Sequence, residues 1–133
     1  MKKYILDACA LIAVLNKEQG AESVKNLLEH DGIDIEIYMS IVNLLEVYYG
    51  LLREYGKATA DSVLLSIKSS PINIINTISE SVFLEAGRFK SAYKISLADS
   101  FVLAEGNARK LIVISSDHHE FDIVEQNEDI EFL

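Results

Sequence analysis

The sequence predicts an α/β fold of three layers, α/β/α, around a central parallel twisted sheet of four to five strands. Three observations carry this expectation. Short apolar runs alternate along the chain with longer segments of helical period, the pattern of βα units whose crossovers cover both faces of a parallel sheet. One run, Leu111 to Ile114, is apolar at every position, as a strand covered on both faces should be. The punctuation falls between segments: the one proline, Pro71, and Gly20, Gly32 and Gly56. With 133 residues, half of them apolar, the chain has room for one domain, 1–133, and one substantial core.

Taken in order, Lys3 to Leu6 is a short apolar strand, and Ala8 to Leu15 a helix ending near Asn16. Ala21 to Glu29 is a second helix, with Val24, Leu27 and Leu28 on one face. Ile35 to Met39 is strand-like, and Ser40 is placed to cap a long helix from Ile41 to about Tyr55. Gly56 breaks it, and Lys57 to about Lys68 completes a helical hairpin. Ile72 to Ile75 is a strand after Pro71. Ser79 caps a helix through Ala92, Ser96 caps one from Leu97 to Ala108, and Leu111 to Ile114 is the next strand. Ile130 to Leu133 is a candidate edge strand.

Lys2, Lys3 and the apolar residues after them imitate a secretory leader. Asp7 interrupts the apolar stretch, which ends at Asn16, far short of the roughly 20 residues that span a bilayer. The expectation is a cytoplasmic protein with no membrane segment. Cys9 is the only cysteine; it cannot form an internal disulfide and is expected to be a small buried filler. The net charge is −9, but seven acids and no Lys or Arg fall between Asp117 and Leu133. The remainder is therefore close to neutral, and bulk charge does not announce a nucleic-acid binder.

Four acids stand in apolar surroundings. Asp7 follows Tyr4-Ile5-Leu6, Glu46 lies within Ile41 to Tyr49, Asp99 lies within Leu97 to Ala104, and Asp117 follows Ser115-Ser116 after the apolar strand. A buried carboxylate needs compensation, and no Lys or Arg lies within a helical turn of Asp7, Glu46 or Asp99. Hard oxygen donors of this kind suit Mg²⁺ or Mn²⁺. Asp7 and Asp117 fall after strands that neighbour each other in a doubly wound sheet, where ligands collect at the carboxyl ends. Local explanations stand beside this one: Asp7 as a helix N-cap, Asp99 as the capping-box partner of Ser96, Asp117 as a turn cap. A receiver domain would carry adjacent acids after the first strand, and a haloacid-dehalogenase-like phosphatase a second Asp where Cys9 stands. No glycine-rich phosphate loop is present.

The four acids with their local strings resemble the PIN domain, and within it the VapC-type toxin ribonucleases of toxin–antitoxin pairs. The strings are Ile5-Leu6-Asp7-Ala8, Asn43-Leu44-Leu45-Glu46-Val47, Ser96-Leu97-Ala98-Asp99-Ser100-Phe101 and Ser115-Ser116-Asp117-His118-His119-Glu120-Phe121. The resemblance covers essentially the whole chain. It implies a metal-dependent endoribonuclease in which Asp7, Glu46, Asp99 and Asp117 hold Mg²⁺ or Mn²⁺. Asp7 and Asp99 would be the most direct ligands and Asp117 the most variable one. Ser115 stands where relatives often carry Thr and would orient water or a ligand, and Ser40 keeps a hydroxyl near the mouth. The implied reaction is in-line attack by an activated water, leaving 5′-phosphate and 3′-hydroxyl ends.

The resemblance also implies a cognate antitoxin and a homodimer. The apolar hairpin from Ile41 to Ser69 is the expected receiving surface, with Tyr48, Tyr49 and Tyr55 as core or dimer contacts. Arg88, Lys90 and Lys94 form the main basic cluster, which suits either RNA phosphates or a solvated helix face. His118 and His119 read first as exposed turn residues, with an acid or base role as the lesser alternative, and Glu120 reads equally as a solvated turn residue or as a partner that orients a ligand of the site. A different class of function remains open at this level: a catalytically weak PIN-fold protein-binding module. A housekeeping RNA-processing nuclease is a third reading.

Overall fold

The computed structural model describes residues 1–17, 21–115 and 121–133. Its elements are β1 (Lys2–Leu6), α1 (Ala8–Leu15), α2 (Ala21–His30), β2 (Ile35–Ser40), α3 (Ile41–Tyr55), α4 (Lys57–Ser69), β3 (Asn73–Ile75), α5 (Glu80–Ala92), α6 (Leu97–Arg109), β4 (Ile112–Ile114) and α7 (Asp122–Asn127). All strand pairings are parallel, and the sheet order is β3-β2-β1-β4. The three-layer α/β/α expectation is met, with four strands in the sheet.

The layering follows from the two-residue period of the central strands. Tyr4 and Leu6 of β1, with Ile37 and Met39 of β2, pack with Leu11, Val24, Leu44, Val47 and Ile67 from α1 to α4. Ile5 and Val113 belong to the opposite cluster, with Val82, Phe89, Val102, Leu103 and Val124 from α5 to α7 and Phe121 just before α7. Gly106 lets α6 approach the sheet. A Cβ there would meet Val113 Cγ2 at 3.3 Å and Ile5 Cγ2 at 3.6 Å. Gly56 adopts φ +90°, a conformation that costs a glycine little, and it turns α3 into α4.

Two strands begin one residue later than predicted, each for a hydrogen-bonding reason. β3 starts at Asn73 because the Ile72 N–H donates to Ser70 Oγ. β4 starts at Ile112 because the Leu111 N–H closes the end of α6 on the Gly106 carbonyl, with Lys110 in the left-handed conformation. The predicted edge strand at Ile130 to Leu133 is reduced to one parallel bridge, Val113 to Phe132. Cys9 is exposed, correcting the expectation of a buried filler. Its neighbours Ala8, Ala10, Leu11 and Ala13 fill the inward face of α1, and the helical period turns residue 9 outward. Among the described residues, no helix is long and apolar enough to cross a membrane.

Candidate functional site

Parallel strands put their carboxyl ends on one edge of the sheet, and the loops there hold the candidate residues. β1 pairs with β2 through Ile5 and Tyr38, and with β4 through Leu6 and Ile114. Carried onward in register, Asp7 falls level with Ser40 on one side and Ser115 on the other. Adjacent strands lie about 4.8 Å apart, so these three residues form one row across the carboxyl edge. The Asp7 N–H continues the ladder by donating to the Ile114 carbonyl at 3.1 Å. The row straddles the point where strand order reverses direction from β1, the usual place for a ligand in such a sheet.

Asp7 is buried and caps α1: its Oδ1 accepts from the Ala10 N–H at 2.7 Å. The cap reading of this residue is therefore correct. Ser40 is buried and caps α3, its Oγ accepting from the Val42 N–H at 3.2 Å. Asp99 sits at the third position of α6, 9 % exposed, and its N–H donates to the capping Ser96 Oγ at 3.1 Å. Since the end of α6 feeds the start of β4, the beginning of α6 lies at the carboxyl edge of the sheet. Asp99 is thereby brought to the same edge as Asp7.

Glu46 is the sixth residue of α3, roughly 9 Å along the axis from Ser40. It is partly buried, on a helix that packs against both α1 and α6. Ser115 is also partly buried. Asp117, His118, His119 and Glu120 lie outside the described residues. Among the described residues, no three His, Cys, Asp or Glu side chains stand close enough to hold a metal ion between them. The topology thus assembles Asp7, Asp99, Ser40 and Ser115 at one edge, with Glu46 on the helix rising from it.

Two buried acids elsewhere show what the apolar-context signal misses. Glu105 on α6 is buried, but its Oε1 accepts from Arg109 Nε at 3.1 Å, one turn on. Asp31, after α2, is 5 % exposed; Oδ1 accepts from the Ile37 N–H, while Oδ2 has no hydrogen-bond partner among the described residues. Burial pushes its carboxyl up from the ordinary range, against the pull of the Ile37 and Gly32 N–H groups.

Asn43 was legible but not singled out. It is fully buried in the first turn of α3, and neither Oδ1 nor Nδ2 has a hydrogen-bond partner among the described residues. A polar residue inside Ile41-Val42-Asn43-Leu44-Leu45, three before Glu46, is the signal that could have found it. A buried amide with no partner among the described residues, one helical turn before Glu46, suits the donor chemistry of a site that takes a hydrated divalent cation.

Of the basic cluster, Arg88 is committed within the fold. It donates to both oxygens of Glu85 at 3.0 Å, and to both oxygens of Glu128 at 2.9 and 3.1 Å. Lys90 and Lys94 are exposed. Tyr48 donates to Asp61 Oδ1 across the hairpin, an internal contact, while Tyr49 and Tyr55 are exposed.

A model of the PIN domain family matches residues 4–126. No curated protein matches the chain in sequence. Among solved structures, VapBC2 from Rickettsia felis bound to a promoter DNA fragment is similar with a TM-score of 0.78. It is 20% identical, over 98% of this chain and 97% of that one. A toxin–antitoxin complex from Klebsiella pneumoniae matches with a TM-score of 0.64 at 23% identity, over 90% of each chain. VapC20 from Mycobacterium tuberculosis, a sarcin–ricin loop cleaving toxin, matches with a TM-score of 0.71 at 15% identity. That match covers 93% of this chain and 95% of that one. At these identities the likeness to solved structures is one of fold.

Proposed function

Because the chain belongs to the PIN domain family, we propose that it is a divalent-cation-dependent endoribonuclease, the toxin of a VapBC-type pair. The observation that carries this reading is the row Ser40–Asp7–Ser115 across the carboxyl edge, with Asp99 delivered to the same edge by α6. Asp7, Glu46 and Asp99, joined by Asp117, would hold Mg²⁺ or Mn²⁺. Once bound, the cation neutralises a phosphodiester, lowers the pKa of an attacking water and steadies the leaving oxygen.

The chain's own contribution is placement. Asp7 is pinned by its cap hydrogen bond and its ladder bond, so its second carboxylate oxygen has a fixed direction. Asp99 is held by the Ser96 cap in the first turn of a helix locked to the sheet at Gly106. The Ser115 hydroxyl, next to Asp7 in register, would orient water. A carboxylate of the group takes the water's proton as it attacks. A chain of net charge −9 gains little from bulk attraction to RNA, so productive contact depends on the cation and on local cations such as Lys90 and Lys94.

An antitoxin is the partner that this reading requires. An apolar groove of about 330 Å³ runs between α1, the end of α2 and α4, lined by Leu11, Val14, Leu28, Val63 and Ile67. It fits the apolar face of a partner helix. The hairpin α3–α4 contributes Val63 and Ile67 to it. Leu45, Tyr49 and Leu65 remain exposed elsewhere on the hairpin, suited to a second copy of this chain.

The test is incubation of the purified chain with a mixed RNA pool, with Mn²⁺ and with chelator. Cleavage only with Mn²⁺, giving 5′-phosphate ends, is the expected result. Intact RNA under both conditions, with tight capture of a partner protein, would replace this reading with that of a catalytically weak binding module.

A further inference from the structure

We propose that Asn43 is a positioning residue of the carboxylate site, whose amide is paired only when a divalent cation is bound there. The inference rests on the metal-site reading above and adds a residue to it. Asn43 is 0 % exposed, and both ends of its amide lack a partner among the described residues. A buried amide left in this state is costly, and an apolar side chain of the same size would be the more stable choice. Its neighbours Ile41, Val42, Leu44, Leu45 and Val47 show what that choice looks like on this helix.

The position explains the exception. Asn43 lies three residues after Ser40, which ends β2 at the carboxyl edge, and three before Glu46. Residues three apart on a helix are surface neighbours, with Cβ atoms about 5–6 Å apart. A change of rotamer would therefore bring Nδ2 to the Glu46 carboxylate. A hydrogen bond from Nδ2 fixes the direction of Glu46 and favours its ionised form, which a cation needs. Being fully buried, Asn43 acts through Glu46 and does not touch substrate.

The experiment uses the full chain and Mn²⁺ as the probe, with Asn43→Leu and the volume-matched Asn43→Thr. Melting is followed in chelator, and Mn²⁺ affinity by calorimetry. In chelator Asn43→Leu should melt at or above the wild-type temperature, because it deletes an unpaired amide. Its Mn²⁺ Kd should weaken by about tenfold or more, with Asn43→Thr in between because it keeps a hydroxyl. If Asn43→Leu melts lower in chelator or fails to fold, or binds Mn²⁺ as tightly as wild type, the assignment is overturned and the amide is structural. If wild type itself binds no Mn²⁺, the metal-site reading falls first and takes this assignment with it.

Discussion

Asp7 carries two jobs that one pair of substitutions separates. Its Oδ1 caps α1 through the Ala10 N–H, and the residue is 2 % exposed. Asparagine is as good an N-cap as aspartate, so Asp7→Asn keeps this bond and the stability of the fold to within about 0.5 kcal/mol. Asp7→Ala loses the cap at a cost of about 1 kcal/mol, which for a chain of this length lowers the melting temperature by roughly 4 °C. Both variants lose the charge. Even supporting partners of a metal ligand are worth about 10–100-fold, so RNA cleavage should fall at least about a hundredfold in both. Thermal melts with and without Mn²⁺ complete the assay. At a hundred times its Kd, Mn²⁺ should stabilise wild type by about 2.7 kcal/mol, and both variants should lose most of that gain. Wild-type cleavage by Asp7→Asn would refute the ligand role. Equal melting of the two variants in chelator would refute the cap.

Three further perturbations test the fold at and away from the site. Ser96→Ala removes the acceptor for the Asp99 N–H; it should cost about 1 kcal/mol and lower cleavage by loosening the first turn of α6, and unchanged melting would contradict this. Arg88→Gln cuts the fork from α5 to Glu128, at the end of α7. These groups are partly solvated, so the cost should be about 1 kcal/mol or less and should shrink in high salt. Arg88 holds the carboxyls of Glu85 and Glu128 below their ordinary range. Their contribution is therefore present above the ordinary glutamate value and lost as pH falls through the lowered ones, a loss that acid titration of the Arg88→Gln variant should show much more weakly, since only the hydrogen bonds from Asn107 and Tyr93 remain. Asp31 has the opposite sign: burial raises its pKa, so the ionised form subtracts stability as pH climbs above the ordinary aspartate value of about 3.9. Asp31→Asn should melt higher than wild type at pH 7 and lose that advantage below about pH 3.9, whereas a constant difference across pH would reject the argument.

The layering and most element limits were legible because local chemistry and tertiary packing agree there. The helix Ala8–Leu15 has its predicted bounds, and Ser40, Ser79 and Ser96 each accept the capping N–H expected of them. The disagreements arise where a hydrogen bond outside the ladder takes a strand residue. Ser70 claims the Ile72 N–H, and the end of α6 claims that of Leu111. The helix α7 is not legible in the sequence, because its six residues carry two acids in the first turn and bury one side chain, Val124. That leaves no apolar period to detect. At the site, apolar context singled out Asp7 and Asp99 correctly as buried. The same criterion passed over Glu105, whose compensation is a neighbouring arginine, and Asn43, which bears no charge to attract attention. Burial of an amide without a partner depends on which helices close over it, and that is a tertiary fact.

The most direct measurement is a crystal of this chain soaked in Mn²⁺ and phased for anomalous signal. A single strong peak, or a close pair, coordinated by Asp7 and Asp99 and reached by Glu46 is the predicted result. A map with no manganese at the carboxyl edge of β1 and β4, or with manganese only on the acidic segment after β4, would contradict it.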